Sequence, residues 1–163
     1  MKIPALAFCC LLAAAAANSP KSFADSSASM SRDLLVAHNA VRARVGVPPL
    51  SWSGQLAKYA QHWADTLAAE RKFYHHPNSP FGENLFQIQG TTATPGEVVE
   101  SWASESRDYD LKSNLCHGRC GHYTQLVWRN TAKVGCGIGS FPGGQVWVCN
   151  YDPPGNIIGQ RPY

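Results

Sequence analysis

Apolar residues recur at helical spacing in three stretches between residues 31 and 105, and each stretch predicts an amphipathic helix. Each begins at a residue type that commonly caps a helix N-terminus, namely Ser31, Ser53 and Thr94. The third also has a capping box, because Glu97 stands three residues after Thr94. His38 lies on the apolar stripe of the first helix, so we expect a hydrogen-bonded core residue there. The predicted ranges are Arg32 to about Val45, Ser53 to about Arg71, and Thr94 to about Glu105.

The segment of residues 73–89, between the second and third helices, has no clear hydrophobic period. Its two prolines and its glycine predict a loop without a long regular element. Loops of this length inside a compact domain are commonly functional. Asn84 carries several hydrogen-bonding groups and is expected to fix a neighbouring loop.

Residues 122–128 are rich in Tyr, Thr, Val and Trp, a composition that predicts a β-strand. Side chains alternate along a strand, so His122, Thr124, Leu126 and Trp128 are expected on one face. That arrangement places a titratable imidazole at the mouth of an otherwise apolar face, as in a cleft built onto a sheet.

The N-terminus has the pattern of a secretory signal peptide, with a basic Lys2, an apolar run and then small residues. Cleavage is predicted after Ala17 or after Ala24. The apolar run is too short for an ordinary membrane span, so export to the extracellular space is expected and not membrane insertion. The predicted divisions are a signal peptide over residues 1–24, one domain over residues 25–163, a fraying Ser-rich start over residues 25–30, and an extended surface tail over residues 153–163.

Four cysteines remain after removal of that peptide, and an even number in an exported protein predicts disulfides. Cys136 and Cys149 flank a hairpin pattern. If its turn centres on residues 142–143, the two lie opposite each other on antiparallel strands, within bonding distance. Cys116 and Cys120 then close a small loop of their own.

A zinc site is the alternative use of the first cysteine pair, with Cys116, Cys120, His117 and His122 as its ligands. Zinc–thiolate sites are typical of reducing compartments, whereas disulfides are typical of secreted proteins. The pattern therefore favours the disulfide.

The charge balance is close to even, since the formal net charge is +3 and Lys2 and Lys21 leave with the signal peptide. No run of basic residues could follow a phosphate backbone, so a nucleic-acid partner is not expected.

Four motifs resemble the plant pathogenesis-related group 1 proteins of the CAP superfamily (cysteine-rich secretory proteins, antigen 5, pathogenesis-related). They are His-Asn-Ala-Val-Arg at residues 38–42, Gly-Glu-Asn-Leu at 82–85, Gly-His-Tyr-Thr-Gln-Leu-Val-Trp-Arg-Asn at 121–130 and Cys-Asn-Tyr-Asp-Pro-Pro-Gly-Asn at 149–156. The match extends from about residue 33 to residue 163. The resemblance implies an α+β fold, a three-layer α-β-α sandwich (CAP/SCP domain) in which helices cover a short antiparallel sheet.

The resemblance also implies a cleft lined by two histidines and two glutamates. Glu83 and His122 come from the matching motifs, and Glu105 corresponds to the glutamate three residues after the helix tryptophan. The remaining histidine precedes Gly-Glu-Asn-Leu. His76 fits the usual gap best, and His75 is the competing choice.

Such a tetrad allows three kinds of chemistry. It could bind a divalent metal such as zinc, perform general acid–base work, or form a structural polar cluster. No nucleophile elbow is present and every mature cysteine has a disulfide partner, so we expect no enzyme and no required cofactor. A metal-dependent hydrolase that uses the His/Glu cleft is the alternative.

The resemblance implies a secreted plant defence protein, located in the apoplast and monomeric. Relatives bind sterols through a loop that corresponds here to residues 109–115. Its apolar members are Tyr109, Leu111 and Leu115, so sterols or related lipids are the expected partners.

A second role is implied for the C-terminal tail. In relatives, cleavage after Cys-Asn-Tyr-x frees a signalling peptide. Cleavage between Asp152 and Pro153 would here release residues 153–163 toward a receptor. A Pro- and Gly-rich exposed end is accessible to proteases. The alternative is a tail that stays packed on the domain.

Overall fold

A four-stranded sheet is the central layer of the computed structural model, which describes residues 23–163. The predicted signal peptide, with its cleavage after Ala17, therefore lies almost entirely outside the described residues. The helices are α1 Phe23–Arg44, α2 Gly54–Glu70, a 3-10 helix Ser104–Asp108 that follows α3 Pro95–Ala103, and α4 Gly121–Leu126. The strands are β1 Ser51–Trp52, β2 Gly82–Gln89, β3 Tyr109–Asp110, β4 Leu115–Cys116, β5 Lys133–Phe141 and β6 Gly144–Asp152.

The strands of the main sheet lie in the order β1-β5-β6-β2, and β3 pairs with β4 in a separate two-stranded hairpin. The β5–β6 and β2–β6 pairs are antiparallel, but β1 runs parallel to β5. The sheet is therefore mixed and not purely antiparallel. β2 forms one edge, a position that matters for the functional site.

Helices cover both faces of the sheet, which confirms the predicted α-β-α sandwich. One face packs against α2 and the other against α1, α3 and α4. The first core consists of Ala60, Trp63, Ala64, Leu67, Ala68, Leu85, Val146 and Val148. The second, larger core includes Leu34, Val41, Val98, Trp102, Leu126, Val134, Trp147 and Tyr151.

Glycines of β5 allow α2 to pack directly on the strand. A Cβ added at Gly137 would lie 2.3 Å from the Gln61 Cα, and one at Gly139 would lie 2.2 Å from the Ala64 carbonyl oxygen. Because side chains alternate along a strand, these glycines face α2 together. Helix and strand backbones therefore meet without intervening side chains.

The hairpin and both disulfides agree with the sequence predictions. Cys136 lies opposite Cys149 in the β5–β6 register, and the two are bonded. Cys116 and Cys120 form the second disulfide. The alternative zinc site is therefore wrong, because both of its thiolate ligands are consumed.

The second and third helices also begin as predicted. The Ser53 side chain accepts a hydrogen bond from Leu56 N, and Thr94 and Glu97 form the reciprocal capping box. The first helix differs, because α1 starts at Phe23 and runs through Ser31 without a break. Ser31 Oγ donates to the Ala28 carbonyl within the helix, so it is not an N-cap, and residues 25–30, predicted to fray, are part of α1.

The predicted strand over residues 122–128 is wrong, because residues 121–126 form α4. Tertiary contacts override the local strand preference. The Glu105 carboxylate accepts hydrogen bonds from the N–H groups of His122 and Tyr123, and Arg42 donates to the carbonyls of Leu126 and Trp128. Both ends of the short helix are thus satisfied by side chains from distant segments.

The predicted loop over residues 73–89 is also wrong in its second half, where β2 pairs with β6 along eight consecutive residues. Pairing with a long strand supplies the order that the local sequence does not indicate. Among the described helices, none is long and apolar enough to cross a membrane.

Candidate functional site

Glu105 and His122 form a tight pair at the start of α4. Glu105 Oε1 lies 2.7 Å from His122 Nδ1, and Oε2 accepts hydrogen bonds from His122 N at 2.9 Å and Tyr123 N at 3.3 Å. The Trp102 ring stacks on the imidazole with a centroid separation of 6.2 Å. An acidic residue near the end of α3 is unfavourable for the dipole of that helix. Here its carboxylate accepts hydrogen bonds from the first N–H groups of the next helix, where a negative charge is favourable.

Glu83 forms the second pair, with His75. Its Oε1 lies 2.8 Å from His75 Nδ1 and accepts a hydrogen bond from His76 N at 3.0 Å. Hydrogen bonding to Glu83 raises the pKa of His75, although partial burial acts in the opposite direction. The imidazole therefore gains a preference for the charged form.

The choice of His76 for this position does not agree with the structure. The His76 ring packs between Tyr59 and Trp63 with centroid separations of 5.0 and 4.5 Å, and His76 Nδ1 lies 2.9 Å from the Pro77 carbonyl oxygen. Only the His76 backbone contacts Glu83. The His76 ring therefore packs with the aromatic residues of α2, and the His75 ring is the one that contacts the Glu83 carboxylate.

The start of the edge strand β2 contacts residues of both pairs. Alternation along β2 sends Glu83 and Leu85 to the α2 face, and Asn84 to the other face. Asn84 Nδ2 donates to the His122 carbonyl at 3.1 Å, which confirms that Asn84 fixes a neighbouring segment. Glu83 Oε2 is 3.5 Å from Asn150 Nδ2 on β6. The start of β2 thus connects the His75–Glu83 pair with the segment that carries His122.

The two His–Glu pairs do not form a preassembled zinc site in the described part of the chain. Tetrahedral zinc with ligand distances of about 2.1 Å needs donor atoms about 3–4 Å apart. Among residues 23–163, the one group of three such donors within 4.8 Å of one another is His38, Cys136 and Cys149. That group has no thiolate, because the cysteines are bonded to each other, and both nitrogens of His38 have hydrogen-bond partners.

The predicted lipid loop forms the β3–β4 hairpin. Leu111 is 38% exposed and Leu115 is 54% exposed, while Tyr109 is half-buried and donates from its hydroxyl to Asn114 Oδ1 at 2.7 Å. Arg161 from the C-terminal tail donates to the carbonyls of Leu111 and Lys112. The C-terminal tail thus holds the hairpin in place, and the side chains of Leu111 and Leu115 remain exposed to solvent.

The C-terminal tail is exposed over most of its length but is hydrogen-bonded to the domain at several points, including Asn156 and Gln160. Residues 156–161 and Pro153 are exposed, whereas Pro162 is buried. The anchoring contacts are Thr131 Oγ1 to Pro153 O at 2.9 Å, Gly155 N to Gln125 Oε1 at 2.9 Å, Arg129 N to Pro162 O at 2.7 Å, and Tyr123 OH to Tyr163 OH at 2.9 Å.

Comparison with known proteins decides the family. The family model described as "CAP: Cysteine-rich secretory protein family" matches residues 35–151.

The chain belongs to the CAP family.

Its relatives in that family include plant pathogenesis-related proteins. Pathogenesis-related protein 1B of Nicotiana tabacum is 50% identical over 135 residues, which make up 81% of this chain and 80% of that protein. Pathogenesis-related protein 1 of Arabidopsis thaliana is 41% identical over 133 residues, 81% of each chain. The solved structure of Schistosoma mansoni venom allergen-like protein 4 aligns with a TM-score of 0.66 at 28% identity, over 82% of this chain and 92% of that one.

This CAP domain contains a buried polar centre that sequence reasoning placed only in part. His38 Nδ1 lies 2.7 Å from the Leu34 carbonyl oxygen and its Nε2 lies 2.9 Å from Tyr151 OH, so the core assignment of His38 is confirmed. Burial lowers the pKa of His38 to about 4 and raises that of Tyr151. Asn84 Nδ2 donates to Tyr151 OH at 3.3 Å and links this centre to β2.

Arg42 was not identified from the sequence as a structural centre. It is fully buried and donates to the carbonyls of Pro48, Leu126, Trp128 and Thr131 over 2.7–3.1 Å. Burial lowers its pKa to about 10. The sequence did contain an indication of this role, because Arg42 directly follows Val41 on the predicted apolar stripe. A buried arginine at such a position needs several hydrogen-bond acceptors.

Proposed function

We propose that this protein is a secreted plant defence protein that binds sterols or related lipids at the β3–β4 hairpin and acts without catalysis. The observation that carries the proposal is the exposure of Leu111 and Leu115 on a hairpin held in place by other segments. The identity to pathogenesis-related proteins 1 supports the defence role, and the N-terminal pattern of residues 1–24 supports secretion.

An apolar ligand gains free energy from the removal of exposed leucine surface from water, at about 25 cal/mol per Å². The hairpin offers this surface beside an aromatic ring, that of Tyr109, whose hydroxyl is already satisfied by Asn114. A site of this kind matches a ligand that is mostly apolar and carries few polar groups.

The hairpin is ordered before any ligand arrives. Arg161 binds two of its carbonyls, Asn114 Nδ2 donates to the Gln160 carbonyl at 3.3 Å, and Asp110 accepts hydrogen bonds from Lys112 N and Ser113 Oγ. A site that is already fixed loses less conformational entropy on binding, which favours affinity.

The His–Glu pairs support a structural role in this proposal. Both oxygens of Glu105 bind groups at the start of α4, and Glu83 joins the loop after α2 to the edge strand. Carboxylates engaged in this way are poor candidates for a hydrolytic base. Metal analysis of the purified protein, with activity assays on Glu83→Ala and His122→Ala, tests the alternative of a metal-dependent hydrolase.

A titration with a fluorescent sterol tests the binding proposal. We expect saturable binding by the wild type and at least about tenfold weaker binding by a Leu111→Asp/Leu115→Asp variant, because charged groups oppose an apolar ligand. Val36→Asp/Phe73→Asp is the matched control, since Val36 and Phe73 are exposed apolar residues elsewhere. The absence of saturable binding, or an equal loss in the control, would overturn the proposal.

Release of the C-terminal peptide is a second candidate function, favoured by the exposure of Pro153 and residues 156–161. Cleavage between Asp152 and Pro153 would leave residues 153–163 attached only by non-covalent contacts, namely hydrogen bonds and the packing of Pro162 and Tyr163. Mass spectrometry of secreted fluid should then detect a fragment that begins at Pro153. A tail recovered only as part of the intact chain would argue against release.

A further inference from the structure

Four large hydrophobic residues that are exposed to solvent lie on two segments that contact each other. Leu111 and Leu115 belong to the β3–β4 hairpin, and Ile157 and Ile158 belong to the C-terminal tail. Ile158 is fully exposed, and Ile157 is 43% exposed. A single exposed apolar residue is ordinary, whereas a group of them commonly marks an interaction surface.

Hydrogen bonds hold the tail against the hairpin. Asn114 Nδ2, in the turn of the hairpin, donates to the Gln160 carbonyl at 3.3 Å. Gln160 N donates to the Ile157 carbonyl at 3.0 Å, which closes a tight turn that carries Ile157 and Ile158. Arg161, the next residue, donates to two hairpin carbonyls. We call these two segments, residues 109–116 and 157–161, the hairpin–tail face.

Exposed cations lie on this face or next to it, namely Lys112, Arg119 and Arg161. The side chains of Lys112 and Arg119 form no ion pair with the described residues. The Arg161 guanidinium binds backbone carbonyls, which carry no net charge. Within residues 23–163, the positive charges of these three side chains are therefore not compensated by an ion pair.

The carboxylates of the same segment are engaged by local donors. Asp110 accepts hydrogen bonds from Lys112 N and Ser113 Oγ, and Asp108 accepts one from Arg119 N at 3.3 Å. Hydrogen bonds within the protein thus stabilise both negative charges, whereas the cations remain free to meet an anionic group. The face combines exposed apolar side chains with available positive charge.

We propose that the hairpin–tail face docks on the surface of an anionic phospholipid bilayer. Its four apolar side chains would enter the boundary between headgroups and acyl chains, and its cations would meet the anionic headgroups. Buried apolar area and attraction to anionic lipids together determine how strongly a protein binds a membrane that it does not span. The inference rests on the proposed function for its purpose, since a membrane is where the hairpin would meet a sterol.

Co-sedimentation with sterol-free vesicles of phosphatidylcholine and phosphatidylserine tests the proposal, because such binding does not depend on a sterol. We expect the wild type to bind, and Ile157→Asp/Ile158→Asp to bind at least about tenfold more weakly, because charged groups oppose insertion. Val36→Asp/Phe73→Asp, at exposed apolar residues elsewhere, is the matched control and should bind as the wild type does. No sedimentation of the wild type, or equal binding by the isoleucine variant, would overturn the proposal.

A second pair of variants tests the role of charge. Lys112→Gln/Arg119→Gln should weaken binding to the mixed vesicles at least about fivefold and should make little difference with phosphatidylcholine alone. Lys58→Gln/Lys72→Gln removes two exposed lysines from other segments and should leave binding unchanged. Equal losses in the two double variants would show that overall charge, and not this face, governs binding, and would contradict the location.

The isoleucine variant also separates this inference from the sterol site. Ile157→Asp/Ile158→Asp should keep saturable binding of a soluble fluorescent sterol, because the hairpin leucines are unchanged. A wild type that sediments with vesicles but binds no sterol would support docking and remove the proposed ligand. A wild type that binds sterol without sedimenting, or that self-associates through this face and does not sediment, would overturn the docking and leave the proposed function standing.

Discussion

Glu105 binds His122 twice, through the imidazole Nδ1 at 2.7 Å and through the backbone N–H at 2.9 Å. One buried carboxylate therefore fixes both the orientation of the ring and the position of the helix that carries it. The pair links the segment that follows α3 to the start of α4.

Replacement of this carboxylate should destabilise the domain. Glu105→Gln keeps the shape but loses the charge and one acceptor, so we expect a loss of about 2 kcal/mol in the free energy of unfolding. Urea unfolding measures it. Glu100→Gln is the control, because Glu100 is exposed and its partner Arg44 lies 3.5 Å away, and it should change stability by less than about 0.5 kcal/mol. A similarly small effect at Glu105 would contradict the structural role.

Arg42 should not tolerate lysine. Its guanidinium donates to four carbonyls, and a lysine ammonium cannot reproduce that planar geometry. We expect Arg42→Lys to cost about 3 kcal/mol, since buried carbonyls lose their donors. Arg44→Lys, at the exposed end of the same helix, serves as the control and should be near neutral. Equal unfolding midpoints for both variants would refute this account of α4.

The glycine contact between β5 and α2 gives a steric prediction. Gly137→Ala places a Cβ 2.3 Å from the Gln61 backbone, so the helix must move, at a cost of about 1–3 kcal/mol. Gly96→Ala in α3 has no atom within 4 Å of the new Cβ and should be neutral or stabilising. Thermal unfolding of the two variants measures the difference. A Gly137→Ala protein as stable as Gly96→Ala would show that the close packing is not rigid.

Acid should destabilise the protein through His38. The pKa of this buried imidazole is lowered from 6.5 to about 4, so below pH 6.5 the unfolded chain binds a proton that the folded chain does not. Stability should therefore fall as pH decreases from 6.5 to 4, by about 3 kcal/mol from this group.

The measurement is the free energy of unfolding against pH for the wild type and His38→Gln. In His38→Gln, the free energy of unfolding should fall less steeply between pH 6.5 and pH 4 than in the wild type. His75→Gln is the control, because a raised pKa gives His75 a contribution that is full below pH 6.5 and is lost as pH rises above it. An unchanged acid slope in His38→Gln would show that another group is responsible.

Local sequence signals were sufficient where an element is specified by its own residues. The caps at Ser53 and Thr94, and the turn between Cys136 and Cys149, involve neighbours within about a dozen positions, and the structure has them as predicted. The family motifs added the sandwich fold, which local periodicity alone does not specify.

Contacts between residues that are distant in sequence determine the conformation of the segments that were predicted incorrectly. The strand-like composition of residues 122–128 is overridden by Glu105 and Arg42, both distant in sequence, and these residues form a helix and the turn after it. The competition between His75 and His76 depends on which ring α2 packs against. No pattern within the loop contains that information.

The proposed role is tested most directly by growth of a sterol-requiring microbe in the presence of the purified protein. The account predicts inhibition by the wild type, recovery of growth when excess sterol is added, and little inhibition by the Leu111→Asp/Leu115→Asp variant. Inhibition that excess sterol does not relieve, or equal inhibition by the variant, would contradict it.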